Sequence, residues 1–248
     1  MAKLILLSGP SCVGKGPLLF ALGKFYPHLI ATWKKVVLYN CRDPRPGEKD
    51  GKDYYFRSRE TIEGFRRQSR YLVADVRGDL QAVDLEQLLD DIKDNTMFFE
   101  GNPFVVEKLL KAIDVDGNEI LSIFISPLSR EEIECLQAQE NRVELQNFVT
   151  DVMQRKLLRR TLKQKTILSQ KDLADIERRA SSALNEMSCA HLFDFVVVNH
   201  DGEDSEHWDA FYFPIGDARK TLECVAKLLQ GQACPTVEHW KPLLEQRS

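Results

Sequence analysis

Short apolar runs that end at turn residues alternate along the chain with longer stretches of helical spacing. The run from Lys3 to Leu7 stops at Ser8-Gly9-Pro10, as a buried strand does. Leu18, Leu19, Leu22 and Phe25 then recur at helical intervals up to Pro27. Val36 to Tyr39 predicts a second strand, and Cys41 to Asp53, dense in Pro, Gly and charge, an ordered loop. Further on, Leu85 to Asp94 predicts a helix, and Thr96 to Phe99 a strand ending at Glu100-Gly101. A helix over Glu107 to Ile113 follows, then a strand over Leu121 to Ile125 closed by Pro127. From Arg130 to Met187 there is neither Pro nor Gly, which predicts consecutive helices. Phe195 to Val198 reads as the last core strand, Leu222 to Leu229 as a closing helix, and the tail beyond Gly231 as a surface extension. Strands alternating with helices make this an α/β fold.

The first turn carries the strongest chemical pattern. Gly9-Pro10-Ser11-Cys12-Val13-Gly14-Lys15-Gly16 matches G-x-x-x-x-G-K, with a strand before it and a helix after it. Glycines let backbone N–H groups converge on phosphate oxygens, the helix N-terminus adds positive potential, and Lys15 is the point charge that reaches the outer phosphates. The same residues also suit a tight turn with an exposed lysine. Two departures stand behind Lys15: Gly16 replaces the usual hydroxyl residue that holds Mg²⁺, and Pro17 has no N–H to donate. Both are expected to weaken metal and nucleotide binding.

Composition narrows the field. With 34 Lys+Arg against 38 Asp+Glu in 248 residues, the formal charge is −4, which gives no field for general nucleic-acid binding. No apolar run approaches the roughly 18–20 residues of a membrane span, and the opening run is too short for a signal peptide. The six cysteines form no C-x-x-C pair and read as reduced thiols of a cytoplasmic protein. His200 and His207 lie in a polar loop and read as solvated.

Four segments in order carry a family resemblance. Ser8 to Lys15 looks like the opening of guanylate kinases, and Arg42-Asp43-Pro44-Arg45-Pro46-Gly47-Glu48-Lys49-Asp50-Gly51-Lys52-Asp53-Tyr54 resembles their second signature. Ile123 to Ser129 resembles the strand entering their lid. Ile176 to Arg179 through Glu186, then Phe193 to Asn199, resembles the lid's return and last strand. The resemblance implies a P-loop three-layer α/β fold with a mostly parallel central sheet. Its core would be residues 1–37, 84–128 and 188–230. A small acceptor-binding lobe would occupy 38–83, an extended helical lid 129–187 and a C-terminal extension 231–248.

It also implies transfer of the γ-phosphate of ATP, with Mg²⁺, to a nucleoside monophosphate, GMP or a related phosphorylated acceptor. Partners are then small-molecule nucleotides. Gly9, Ser11, Cys12, Val13, Gly14, Lys15 and Gly16 would hold the ATP phosphates; Arg42, Arg45 and Tyr54 would hold the acceptor phosphate. Two guanidinium forks and a phenol on a short loop suit a phosphate dianion on physical grounds alone. Catalytic cations would be Lys15 and, from the lid, Arg155, Arg159, Arg160 and Arg179, whereas Arg142 reads as a solvated helix face. Glu100 is either the acidic residue near the metal or an ordinary strand-end carboxylate. Asn199 and Asp201 either border adenine or cap their own loop.

The base-reading segment departs from the family. Guanylate kinases place a glutamate before its glycine and small or hydroxyl residues after it. Here Leu72 or Val73 takes the glutamate's place, and Gln81 and Val83 replace Tyr and Ser. Asp75 or Asp79 compensates only through a shifted register. With Gly16 and Pro17, these changes leave open a second reading, a module of this fold that binds a nucleotide or phosphorylated partner without turnover.

Overall fold

The computed structural model describes residues 3–45, 47–113, 120–138, 141 and 143–242; Met1, Ala2, Pro46, 114–119, 139–140, Arg142 and 243–248 lie outside them. In chain order, β1 (Leu4–Ser8) leads through the glycine turn into α1 (Lys15–Phe25) and a single turn, α2 (Pro27–Ile30). Three short strands, β2 (Trp33–Lys35), β3 (Leu38–Asn40) and β4 (Tyr54–Phe56), precede α3 (Arg59–Phe65) and a hairpin of β5 (Tyr71–Val76) and β6 (Asp79–Asp84). Next come α4 (Leu85–Asp94), β7 (Thr96–Gly101), α5 (Pro103–Ala112) and β8 (Ile120–Ser126). Four helices follow: α6 (Arg130–Gln137), α7 (Leu145–Gln164), α8 (Gln170–Ser181) and α9 (Ala183–Met187). The chain then runs through β9 (Phe195–Val198), α10 (Gly216–Leu229) and β10 (Val237–Glu238).

Chain contacts divide the molecule into two compact units, residues 1–6 with 32–121, and 7–31 with 122–248. The larger sheet has the strand order β10-β9-β8-β1-β7-β2 and is mostly parallel; the division falls within β1. In the first unit, β2 runs parallel to β7, and a second sheet has the order β4-β3-β6-β5. Its hairpin turns on Arg77 and Gly78, both with positive φ (58° and 87°), a turn whose twist matches the flanking strands. Ile62 of α3 packs on Val73, Leu80 and Ala82, flanked by Tyr39, Cys41 and Phe65. In the second unit, β8 is parallel to β9, and Leu145, Val149, Met153, Leu157 and Thr161 of α7 recur every fourth residue along its buried face.

Three expectations change. The run from Val36 to Tyr39 is not one strand. Val36 donates its N–H to Phe98 O as the continuation of the β2–β7 pairing, and after Val37 the chain enters the other sheet as β3. Helix α5 starts at Pro103, four residues before the predicted helix, because the side chain of Asn102 caps it by accepting from Phe104 N–H. The tail is not simply laid on the surface: Cys234 and Trp240 are buried, and β10 pairs antiparallel with β9.

Candidate active site

The residues expected to hold phosphates fall into two groups, one in each unit. In the second unit, the Gly9–Gly16 loop has positive φ at Gly9 (140°), Cys12 (68°) and Gly14 (95°). Such alternation turns successive N–H groups toward a common centre. Two glycines are obligatory for space as well as angle. A Cβ on Gly9 would lie 2.3 Å from Ile125 O, and one on Gly14 2.6 Å from Asn199 Nδ2. Gly16 differs: a Cβ there meets nothing within 4 Å. Pro17 takes the third position of α1, where the missing N–H has no intrahelical partner to lose.

Lys15 is buried, and its Nζ donates to Gly9 O and Pro10 O, both at 2.8 Å. Those carbonyls are weak partners for a cation beside phosphate oxygens, so a bound polyphosphate would draw the ammonium off them. Cys12 contributes backbone only; burial, and then the charge of Glu203, push its thiol up to about 12, so no thiolate forms there.

The loop is held from behind. Asn199 donates through Nδ2 to Val13 O and to Asp201 O, both at 2.7 Å, and Glu203 N–H donates to Cys12 O at 3.3 Å. Asp201 accepts from Ser205 Oγ and Ala218 N–H and sits 2.9 Å from His207 Nδ1. Asn199 thus ties the glycine loop to the loop after β9, and Asp201 braces that second loop. The histidines are less idle than their polar surroundings suggest. His200 lies between Asp217 (2.6 Å) and Glu132 (3.0 Å), and despite partial burial these carboxylates raise its pKa.

One face of α7 is fastened to the same loop. Lys156 donates to His200 O (2.6 Å), Arg159 to Asp204 (2.8 Å) and Arg160 to Glu203 (2.8 Å). The positions i, i+3 and i+4 share that face. Arg155 instead pairs with Asp151 one turn back and is exposed, and Arg179 of α8 is buried beside Asp175 at 2.7 Å. Glu203, Asp204 and Lys156 were not singled out in the sequence; 43 to 45 residues separate the paired charges, and no spacing rule connects them.

In the first unit, Arg42 carries the second group. Its guanidinium stacks over Tyr54 (5.0 Å) and Phe56 (5.6 Å). Nη1 donates to Glu48 Oε2 (2.7 Å) and Asp43 O (2.8 Å), and Nη2 to Glu48 Oε1 (2.6 Å). Three of the five guanidinium N–H groups are thus given to Glu48 and Asp43, and the Tyr54 side chain hydrogen-bonds Arg42 as well. Burial works against the charge on Arg42, but the Glu48 pair outweighs it and raises its pKa. Arg45, exposed, gives its N–H to Glu48 Oε2 (2.7 Å); despite its own partial burial, Glu48 is held below the usual carboxylate range by the Arg42 guanidinium first and by this N–H second. Burial pushes the Tyr54 hydroxyl up, with the charge of Glu100 adding to it, which keeps the phenol a donor. Glu48 stands inside the second signature and is the orienting residue that residue-type reasoning passed over.

The base-reading positions divide by face. Leu72 and Val83 are paired and buried on one face of the hairpin, while Val73 faces α3 in the apolar cluster. Asp75 is exposed and accepts the N–H of Gly78 across the turn. Its carboxylate is thus spent on the turn. Among the described residues no three His, Cys, Asp or Glu side chains gather at metal-ligand distances.

A family model described as guanylate kinase matches residues 1–156. A guanylate kinase of a Nostoc species is 32% identical over 205 residues, covering 81% of this chain and 84% of that protein. One from Rhodococcus jostii is 28% identical over 208 residues, 80% of this chain and 81% of that one. Among solved structures, guanylate kinase from Anaplasma phagocytophilum superposes with a TM-score of 0.54 at 20% identity, over 95% of this chain and 88% of that one. That likeness bears on the fold, which is the same mixed α/β architecture. The chain belongs to the guanylate kinase family.

Proposed function

We propose that the chain is a nucleoside-monophosphate kinase that moves the γ-phosphoryl group of ATP to the phosphate of GMP or a chemically related monophosphate. The observation that carries this is the Gly9–Gly16 loop, with Lys15 withdrawn onto the carbonyls of Gly9 and Pro10. ATP phosphates take the loop N–H groups, and Lys15 leaves its carbonyls for the outer phosphate oxygens. Arg42 offers its guanidinium to the acceptor phosphate, joined by Arg45 and the Tyr54 hydroxyl. Arg155, Arg159 and Arg179 exchange their carboxylate partners for the charge that spreads over the transferring group. No covalent intermediate is required; positioning and charge do the chemistry.

Magnesium finds few ligands here. Gly16 has no hydroxyl, and Glu100 is a single half-buried carboxylate at the end of β7. The ion would enter on the nucleotide, held by its phosphates and water. The test is ADP release from ATP with GMP, for the native chain and for Lys15→Ala. Phosphorylation of GMP that the alanine variant lacks is expected. Undiminished ATP binding by that variant, or no transfer to any monophosphate, would refute the proposal.

A further inference from the structure

One face of the β4-β3-β6-β5 sheet is fixed by register. Leu38 pairs with Tyr54 and Asn40 with Phe56; Asn40 and Ala74 both pair with Gln81, and Leu72 with Val83. Directly paired residues share a face. The two rings under Arg42 therefore lie on the face that holds two amides, Asn40 and Gln81. Leu38, Leu72, Ala74 and Val83 on that face are buried, and its carboxylate, Asp79, sits at the turn end opposite Val76.

Asn40 is fully buried. Its Oδ1 accepts the N–H of Arg42 (3.2 Å), and its Nδ2 has no hydrogen-bond partner. That backbone N–H also settles which end of the amide is the donor. A buried donor without a partner is disfavoured, and folded chains keep few of them. Gln81 is half-buried, and its amide makes no hydrogen bond among the described residues. One buried amide donor without a partner and one half-buried amide thus stand on the face that carries the Arg42 guanidinium.

We infer that Asn40 and Gln81 read the base of the acceptor, and select an edge with a carbonyl beside a ring N–H and no exocyclic amine next to it. Hypoxanthine, uracil and thymine present that edge. The inference rests on the kinase reading above. Asn40 Nδ2 donates to the carbonyl, and the Gln81 amide oxygen accepts the ring N–H. Guanine makes the same two contacts but leaves its amine without an acceptor. Adenine and cytosine set an amine against the Asn40 donor.

Calorimetric titration with the 5′-monophosphates of inosine, uridine, guanosine, adenosine and cytidine tests this. The inosine or uridine compound is expected to bind at least about tenfold tighter than the other three, and those two arms separate purine from pyrimidine. Asn40→Asp keeps the acceptor for Arg42 N–H and exchanges the donor for an oxygen. It should shift preference toward the adenosine and cytidine compounds. Gln81→Leu, at a half-buried position, should flatten the ranking even if the Asn40 variant folds poorly. Tighter binding of GMP than of inosine monophosphate, or a ranking that both variants leave unchanged, overturns the inference. ADP release with the same panel is followed in parallel. No turnover with any of them refutes the kinase reading while the binding order still decides this one, and no binding at all overturns both.

Discussion

Restoring a hydroxyl at Gly16 isolates what the altered loop has lost. Gly16 stands at the second position of α1 without positive φ, and a Cβ there meets nothing within 4 Å, so Gly16→Ser enters without strain. The helix itself gains about 0.5 kcal/mol from the change of propensity. The larger effect is on the nucleotide. An oxygen that bonds a charged centre contributes about 2 kcal/mol, or roughly 25-fold in affinity. Gly16→Ala supplies the helix gain without the oxygen and serves as the control. Titration of both variants with Mg·ATP, and with ATP in chelator, separates the terms: tighter binding is expected for serine only, and only with magnesium. Equal affinity of the serine and alanine variants, or a gain that survives the chelator, would show that the loop does not present position 16 to the metal.

Other outcomes follow from contacts already described. Glu48→Ala frees the far edge of the Arg42 guanidinium, and the acceptor KM should rise about tenfold with kcat changed less, read by steady-state kinetics. His200 has a raised pKa, so its bridge to Glu132 and Asp217 is fully present below its usual value near 6.5 and is lost as pH rises through the higher folded value. Melting temperatures from pH 6 to 9 should therefore fall more for the native chain than for His200→Gln. Trp240→Ala should cost about 3 kcal/mol in urea unfolding, since the indole is buried and its Nε1 donates to Glu238 at 2.6 Å.

What the chain declares locally it declares well. The helix over Leu85 to Asp94 is legible because Leu88 and Ile92 recur on one face and Asp84 accepts the N–H of Gln87 as its cap. The glycine loop is legible because its angles demand glycine at Gly9 and Gly14. The change of sheet at Val37 is not, since an apolar run looks the same whether its partner is Phe98 or Ala82. The acids that hold Arg159 and Arg160 are also hidden, because an ion pair between α7 and the loop after β9 leaves no periodic trace. Asn40 is hidden more deeply. Its significance lies in a partner it lacks, and only coordinates reveal that.

The tail strand has a consequence for handling the protein. Phe195–Val198 reads FVVV, a short uncharged β-branched segment of the kind that templates intermolecular pairing when its edge is bare. Val237 and Glu238 cover that edge from within the same chain, and Glu238 places a carboxylate there. A truncation that removes residues from 237 onward would expose a ready nucleus for aggregation. Loss of soluble yield in such a variant would then report an uncovered strand and not a failed active site.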